Sequence, residues 1–175
     1  MHVIRTDCLV IGAGLAGSAY ALQVAKSGLS VELLSLEGPF AANSDWAQGG
    51  IIYDTNPDAE ALTRDILDAG AHMCNPAAIE QLVTEGPRIV KELLIDDLGV
   101  AFDRDPDGGL DRTREGGHRE RRIIHHRDAT GHAILSVVAG RLDVTPGITR
   151  RSGWVAVDLL TLSHNSAEAA DRYHP

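Results

Sequence analysis

The sequence predicts an α/β fold built on parallel strands, and three stretches predict it. The first is Cys8-Leu9-Val10-Ile11, a short apolar run that stops at Gly12. It reads as a strand buried on both faces. The second, Leu15 to Gly28, places small and apolar residues at helical spacing and ends in a glycine at the C-cap position. The third, Ser30 to Leu36, reads as another strand. A strand, a helix and a strand in this succession form a β-α-β unit, whose two strands run parallel.

The remaining elements follow in order. A loop containing Gly and Asn spans Gly38 to Gly50. Residues 57–70 predict a helix with Ala59, Leu62, Ile66, Leu67 and Ala69 towards one face. Asn75-Pro76 starts the next, since Asn is a good N-cap and Pro fits the first turn. Its apolar positions run from Ile79 to Leu94 at spacings of three and four, Pro87 is expected to kink it, and Gly99 ends it. Asp103 to Gly109 reads as an exposed turn. A third long helix is predicted over residues 128–142, with Asp128 or Thr130 as its cap. Strand-like sequence follows from Ile148 to Leu160. Residues 163–175 read as a polar tail, which leaves residues 1–162 as one domain.

Composition narrows the function. A chain of 175 residues can bury a real core, and 43% hydrophobic with 23% charged residues is ordinary for a globular protein. A formal net charge of -9 argues against nucleic acid as a partner. Cys8 and Cys74 stand far apart and form no metal-like pair. With no basic, then apolar, leader at the N-terminus they read as reduced thiols of a cytoplasmic protein. No apolar run has the length of a membrane span.

Gly12, Gly14 and Gly17 spell G-x-G-x-x-G between the first strand and the first helix. The first glycine permits a tight turn, the second lets backbone approach a pyrophosphate, and the third lets helix and strand pack closely. The helix N-terminus adds positive potential. The pattern makes the fold Rossmann-like and the site a dinucleotide site. An acidic residue at the end of the second strand usually holds a ribose. Here Ser35 stands near that position and Glu37 two residues beyond it, so spacing alone does not separate NAD from FAD.

One segment departs from the acidic balance. From Arg112 to Arg127 there are six arginines and three histidines against Glu115 and Glu120 alone. The segment contains Thr-Arg-Glu-Gly-Gly-His, residues 113–118, and closes on Asp-Ala-Thr-Gly, residues 128–131. With the glycine turn and the loop Asn-Ser-Asp-Trp-Ala-Gln-Gly-Gly, residues 43–50, it resembles the L-aspartate oxidases, within the flavoprotein family of succinate dehydrogenase and fumarate reductase. The resemblance runs from about Asp7 to Leu160. The Ala-Gln-Gly-Gly loop is shared across the wider family, whereas the Thr-Arg-Glu-Gly-Gly-His block is more specific.

The resemblance implies a Rossmann-like FAD-binding fold, of which this chain is the first part. It implies FAD held by Gly12, Ala13, Gly14, Leu15, Ala16 and Gly17 at the pyrophosphate and by Leu36 on the adenosine side. Asn43, Ser44, Asp45, Trp46, Ala47, Gln48, Gly49 and Gly50 would run along the flavin, the two glycines because a flat ring comes close there. Relatives in membrane complexes carry a flavin-linking His where Asn43 stands, so non-covalent FAD is implied. Glu115 would orient the substrate by meeting its ammonium group. The surrounding arginines are expected to keep Glu115 ionised and to favour a dicarboxylate nearby. A salt bridge from Glu115 to one of them is the alternative. His118, His125 and His126 read as loop or sheet histidines, and no metal site is expected.

The activity so implied is oxidation of L-aspartate to iminoaspartate with oxygen or fumarate as acceptor, feeding quinolinate and NAD synthesis, with quinolinate synthase as a candidate partner. The family's proton-transferring Arg has no counterpart here, so no catalytic residue is assigned. The chain is expected to be a fragment, a truncated product or a piece needing a partner, inactive alone. The alternatives are a fragment of a fumarate reductase or succinate dehydrogenase-like flavoprotein, and a non-catalytic FAD-binding remnant.

Overall fold

The computed structural model describes residues 3–56, 59–161, 163 and 166–168. Most of the expected polar tail, 163–175, lies outside the described residues.

Strand β1 (Cys8–Ile11) pairs in parallel with β2 (Val31–Ser35), Cys8 opposite Val31 and Ile11 opposite Leu34. Helix α1 (Leu15–Lys26) connects them; Ser27 closes it and Gly28 follows with φ +80°. On its other side β2 pairs in parallel with a strand near the end of the chain, here β6 (Ile148–Ser152), giving the order β1-β2-β6. A helix at 130–144 leads into β6 and packs beside α1.

The main core forms where these helices meet one face of the sheet, from Val10, Leu22, Leu33, Val138 and Leu142. Contrary to the sequence reading, β1 is not buried on both faces. Val10 is only 7% exposed, but Leu9 is 52% and Ile11 63% exposed. The sheet is covered by helices on the Val10 side alone among the described residues. On the other face, Arg151 grips Glu32 through two hydrogen bonds of 2.6 and 3.1 Å and lies over the Trp154 ring.

Helices α2 (Glu60–Ala69) and α3 (Pro76–Ile89) share a smaller core of Leu62, Ile79 and Val83. The Asn75 side chain caps α3, accepting from Ala77 N at 3.0 Å. After Pro87 the chain continues helical but winds more widely: Val90–Asp97 is a π-helix, and Leu98 N donates to Leu93 O at 2.9 Å. A proline removes one donor from the regular ladder, and the change of winding begins three residues after it. Gly99, at φ +66°, follows the end of this helix.

A second, antiparallel sheet joins β3 (Ile51–Ile52), β4 (Arg112–Thr113) and β5 (Ile123–Ile124), with β5 in the middle. It brings the basic segment against the loop that precedes β3.

Two boundaries differ from expectation. The last long helix, α4 (Thr130–Val144), has Ala129 at its N-cap with no side-chain cap. Neither Asp128 nor Thr130 serves there: the Asp128 carboxylate meets Gln48, and the Thr130 hydroxyl donates to Gly49 O. Strand β6 ends at Ser152 instead of running towards Leu160. Gly153 turns away at φ +79°, and Val155, Val157, Leu159 and Leu160 are exposed and irregular. None of the helices is long and apolar enough to cross a membrane among the described residues.

Candidate functional site

Two of the three glycines in the turn are held to glycine by the backbone itself. Gly12 leaves β1 at φ +106°, and its N–H donates to Leu34 O at 2.8 Å. A β-carbon on Gly17 would come within 3.0 Å of Gly12 O, so α1 can press onto the turn only because residue 17 is glycine. Gly14 is the N-cap of α1, extended and without a capping side chain. Ser18 fastens the turn from below, its hydroxyl donating to Ala13 O at 3.1 Å.

A groove of about 640 Å³ opens beside this turn. Gly12, Ala13 and Gly14 line it, with Ser35 at the end of β2, Leu36 and Glu37 just beyond, and Trp46. The volume lies inside the roughly 300–1,000 Å³ range of small-molecule sites. Of the anticipated residues, Gly12, Ala13, Gly14, Leu36 and Trp46 therefore line one cavity. Leu15 packs partly into the core and Ala16 faces solvent at the start of α1.

The loop from Asn43 to Gly50 is held against the start of α4. Gly131 N donates to Ala47 O at 2.8 Å, and the Thr130 hydroxyl donates to Gly49 O at 2.6 Å while accepting from His126 N at 3.0 Å. A β-carbon on Gly131 would overlap Ser44 O. Asp45 pairs with His132 at 2.8 Å, and Ser44 Oγ accepts from Leu15 N at 3.3 Å, linking the loop to the glycine turn. Asn43 is exposed, its carbonyl accepting from Trp46 N at 3.2 Å; Gln48 Nε2 lies 3.5 Å from Asp128. Thr130, Gly131 and His132 escaped the sequence reading as site residues. Their signal was the Asp-Ala-Thr-Gly block, which reads as helix-capping material until the loop is seen resting on it.

Gly49 and Gly50 are also required to be glycine by the chain's own packing. A β-carbon on Gly49 would come within 3.0 Å of the Glu115 carboxylate, and one on Gly50 would meet Ile123 and the Ile124 carbonyl of β5. The space is filled by the chain itself.

Glu115 is exposed on the connection between β4 and β5, and folding brings it to the Gly49 backbone. The arginines do not gather around it. Arg122 binds Asp54, Asp65 and Glu120; Arg119 binds Asp65 and Asp68; Arg112 stacks on Tyr53 and bonds Thr55; Arg121 bonds Arg112 O. Among the described residues none of them pairs with Glu115. The alternative role for Glu115, a salt bridge to a neighbouring arginine, is corrected by this. Arg119 and Arg122 answer aspartates from distant parts of the chain, whereas Arg114 and Arg121 bond backbone carbonyls of their own segment. His125 stands between Asp103 and Asp111, His126 meets Ala101 O, and His118 faces Arg122.

A glycine-rich turn, the N-terminus of a helix whose N-cap is a glycine, and a groove beside them fit a dinucleotide's pyrophosphate and one of its nucleosides. They define the class: an α/β dinucleotide-binding protein. The chain belongs to the FAD-binding domain family, which matches residues 7–170, and its cofactor is FAD. It is 41% identical over 157 residues to the L-aspartate oxidase of Halobacterium salinarum, covering 89% of this chain and 30% of that protein. It is 43% identical over 159 residues to L-aspartate oxidase 1 of Ralstonia nicotianae, covering 89% and 29%. The chloroplastic L-aspartate oxidase of Oryza sativa matches at 38% over 161 residues, covering 91% and 24%. The chain thus spans less than a third of the length of these relatives. Among solved structures, quinol fumarate reductase of E. coli superposes with a TM-score of 0.77 at 25% identity, over 86% of this chain and 26% of that one.

Proposed function

We propose that the protein carrying this chain oxidises L-aspartate to iminoaspartate with FAD, using oxygen or fumarate as final acceptor. The observation that carries the reading is the Glu115 carboxylate seated on Gly49, at the end of the loop that continues from the glycine groove. The names of the relatives support it.

Bound FAD supplies the acceptor for the two electrons that leave the substrate's α-carbon. The chain's own residues bind and orient. The N–H groups at the start of α1 and the Gly12–Gly14 backbone would hold the pyrophosphate, and the wall formed by Ser35, Leu36 and Glu37 the adenosine side. The loop from Asn43 to Gly50, fixed by Thr130 and Gly131, would run along the flavin. Asn43 offers no imidazole for a covalent link, so the cofactor is held non-covalently. Glu115 would accept hydrogen bonds from the aspartate ammonium, a group that succinate and fumarate lack; that contact separates amino from plain dicarboxylates. The protein works in the cytoplasm, and its product suits quinolinate synthase as a partner.

The second reading, a fumarate reductase or succinate dehydrogenase-like flavoprotein, draws on the likeness to quinol fumarate reductase. Anaerobic addition of L-aspartate or succinate to the holoprotein separates the two. Bleaching of the flavin absorbance by L-aspartate and not by succinate is expected; bleaching by succinate alone would replace the first reading by the second.

A further inference from the structure

Three carboxylates converge on one buried guanidinium. The Arg122 side chain, just before β5, is 1% exposed. Its Nη1 donates to Asp65 of α2 at 2.8 Å, while Nε lies 3.0 Å from Asp54 and Nη2 3.2 Å from Glu120 as ion pairs without hydrogen-bond alignment. Asp65 is equally buried and also accepts from the Arg119 backbone N–H at 2.9 Å. That bond above all holds its carboxyl below the ordinary carboxylate range, with Arg122 assisting. A buried ionic cluster stabilises a fold no more than apolar residues of the same volume would. What it supplies here is a fixed geometry.

Two segments of the candidate site depend on that geometry. The first is the turn that carries Glu115. His118 Nδ1 is 3.4 Å from Arg122 Nη1, and His118 N donates to Glu115 O at 3.2 Å. Gly116 makes the turn at φ +56°, and Gly117 lies against Ala69 at the end of α2. The second is β3, which continues directly from Gly49 and Gly50. Just beyond it, Tyr53 N donates to Arg122 O at 2.8 Å. One residue therefore touches the supports of both partners in the Glu115–Gly49 contact.

We infer that Arg122 is a positioning residue for Glu115: clamped by Asp54 and Asp65, it holds through His118 the turn that sets the Glu115 carboxylate against Gly49. The inference rests on the aspartate-binding role proposed for Glu115. Lysine cannot replace it, because a single ammonium does not reach three carboxylates and an imidazole in a planar fork.

The test compares holoprotein carrying Arg122→Lys with wild type in two measurements. Hydrogen exchange reads the turn directly, whatever the activity. Amides 114–118 are expected to exchange about tenfold faster while α1 and α4 keep their protection. Steady-state kinetics is expected to show KM for L-aspartate raised about tenfold, with kcat falling less. Combined with Glu115→Gln, Arg122→Lys should cost nothing further, since an anchor acting through Glu115 then has nothing left to position. Unchanged exchange at 114–118, or losses that multiply in the double variant, overturn the inference. A turn that loosens while Glu115→Gln leaves aspartate oxidation untouched overturns the aspartate role of Glu115 and keeps Arg122 as the anchor of the turn. If Arg122→Lys does not fold, Glu120→Gln removes one arm of the cluster from a side chain 51% exposed. A smaller rise in exchange at the same amides is expected there, and none overturns the inference.

Discussion

The carboxylate of Glu115 occupies the space that a side chain at Gly49 would take; a β-carbon there would come within 3.0 Å of Oε2. The obstacle is the far end of a flexible side chain on an exposed connection. Gly49→Ala should therefore displace Glu115 and leave the fold within about 1 kcal/mol of wild type. KM for L-aspartate is expected to rise about tenfold, as one charge-assisted contact is lost. Gly50→Ala meets the Ile124 main chain, which cannot swing aside, and should destabilise by about 1–3 kcal/mol. Thermal melts and kinetics of the two variants, side by side, check the contrast.

Glu115→Gln keeps the shape and removes the charge. Only aspartate offers an ammonium group to that carboxylate. A hydrogen bond to a charged group is worth roughly 1.5–3 kcal/mol, so aspartate oxidation should fall about tenfold to a hundredfold with fumarate reduction much less affected. Equal losses in the two assays would make Glu115 a structural residue.

The β1-α1-β2 unit was legible because each element is long enough to show its period: an apolar run, a helical repeat, a second apolar run. Asn75 was legible as a cap because its chemistry is local, and its side chain does accept from Ala77 N. The small sheet was not legible. Its strands are two residues each, too short for any periodicity. The arginine cluster showed in the sequence as charge, but its use did not. Arg122 and Asp65 lie 57 residues apart, and only folding shows that Arg119 and Arg122 answer aspartates on α2 and before it. Gly49 and Gly50 were recognised as necessary glycines, but their packing against Glu115 and β5 was not legible, because sequence does not say which atoms stand opposite a missing side chain. The exposed face of β1 was missed for a related reason: Leu9 and Ile11 are apolar whether or not a layer covers them.

Asp65 carries an acid-stability prediction. Its folded-state pKa is lowered from 3.8, chiefly by the Arg119 N–H bond and further by Arg122. The ionised form therefore contributes stability that is fully present above about 3.8 and is lost as pH falls through the lower folded value. Asp65→Asn removes that acid-sensitive component. At neutral pH it breaks a buried ionic cluster, a change that typically costs about 3–5 kcal/mol. Urea denaturation at pH 7 and at pH 3 measures both effects. The variant should be much weaker than wild type at pH 7, and the gap should narrow at pH 3.

The proposed non-covalent attachment of the cofactor turns on Asn43. An amide side chain cannot form the imidazole–flavin bond, and among the contacts of the described residues its backbone carbonyl serves Trp46 N. Acid precipitation of the holoprotein should leave the flavin in the supernatant. Yellow, fluorescent protein in the washed pellet would show a covalent link through another residue.

Residues 1–175 expressed alone should bind FAD weakly and not turn over L-aspartate. The groove is about 640 Å³ and is lined, among the described residues, only by residues of the glycine turn, the end of β2 and residues 36–46. Strand β1 pairs only with β2 among the described residues, which leaves one edge free beside the exposed Leu9 and Ile11. A free edge beside apolar side chains invites association with other chains. The proposed mechanism assigns no described residue the role of a positioned proton donor or acceptor, and such a group contributes typically about 10²–10⁴-fold to a rate. Orientation by further carboxylate-binding groups would add several more powers of ten. The assay is to supply FAD and L-aspartate to the isolated chain and follow hydrogen peroxide and anaerobic flavin bleaching, with light scattering recorded in parallel. Clear solutions and turnover equal to that of a full-length L-aspartate oxidase would show that these residues form a sufficient enzyme and that the exposed face of β1 needs no cover.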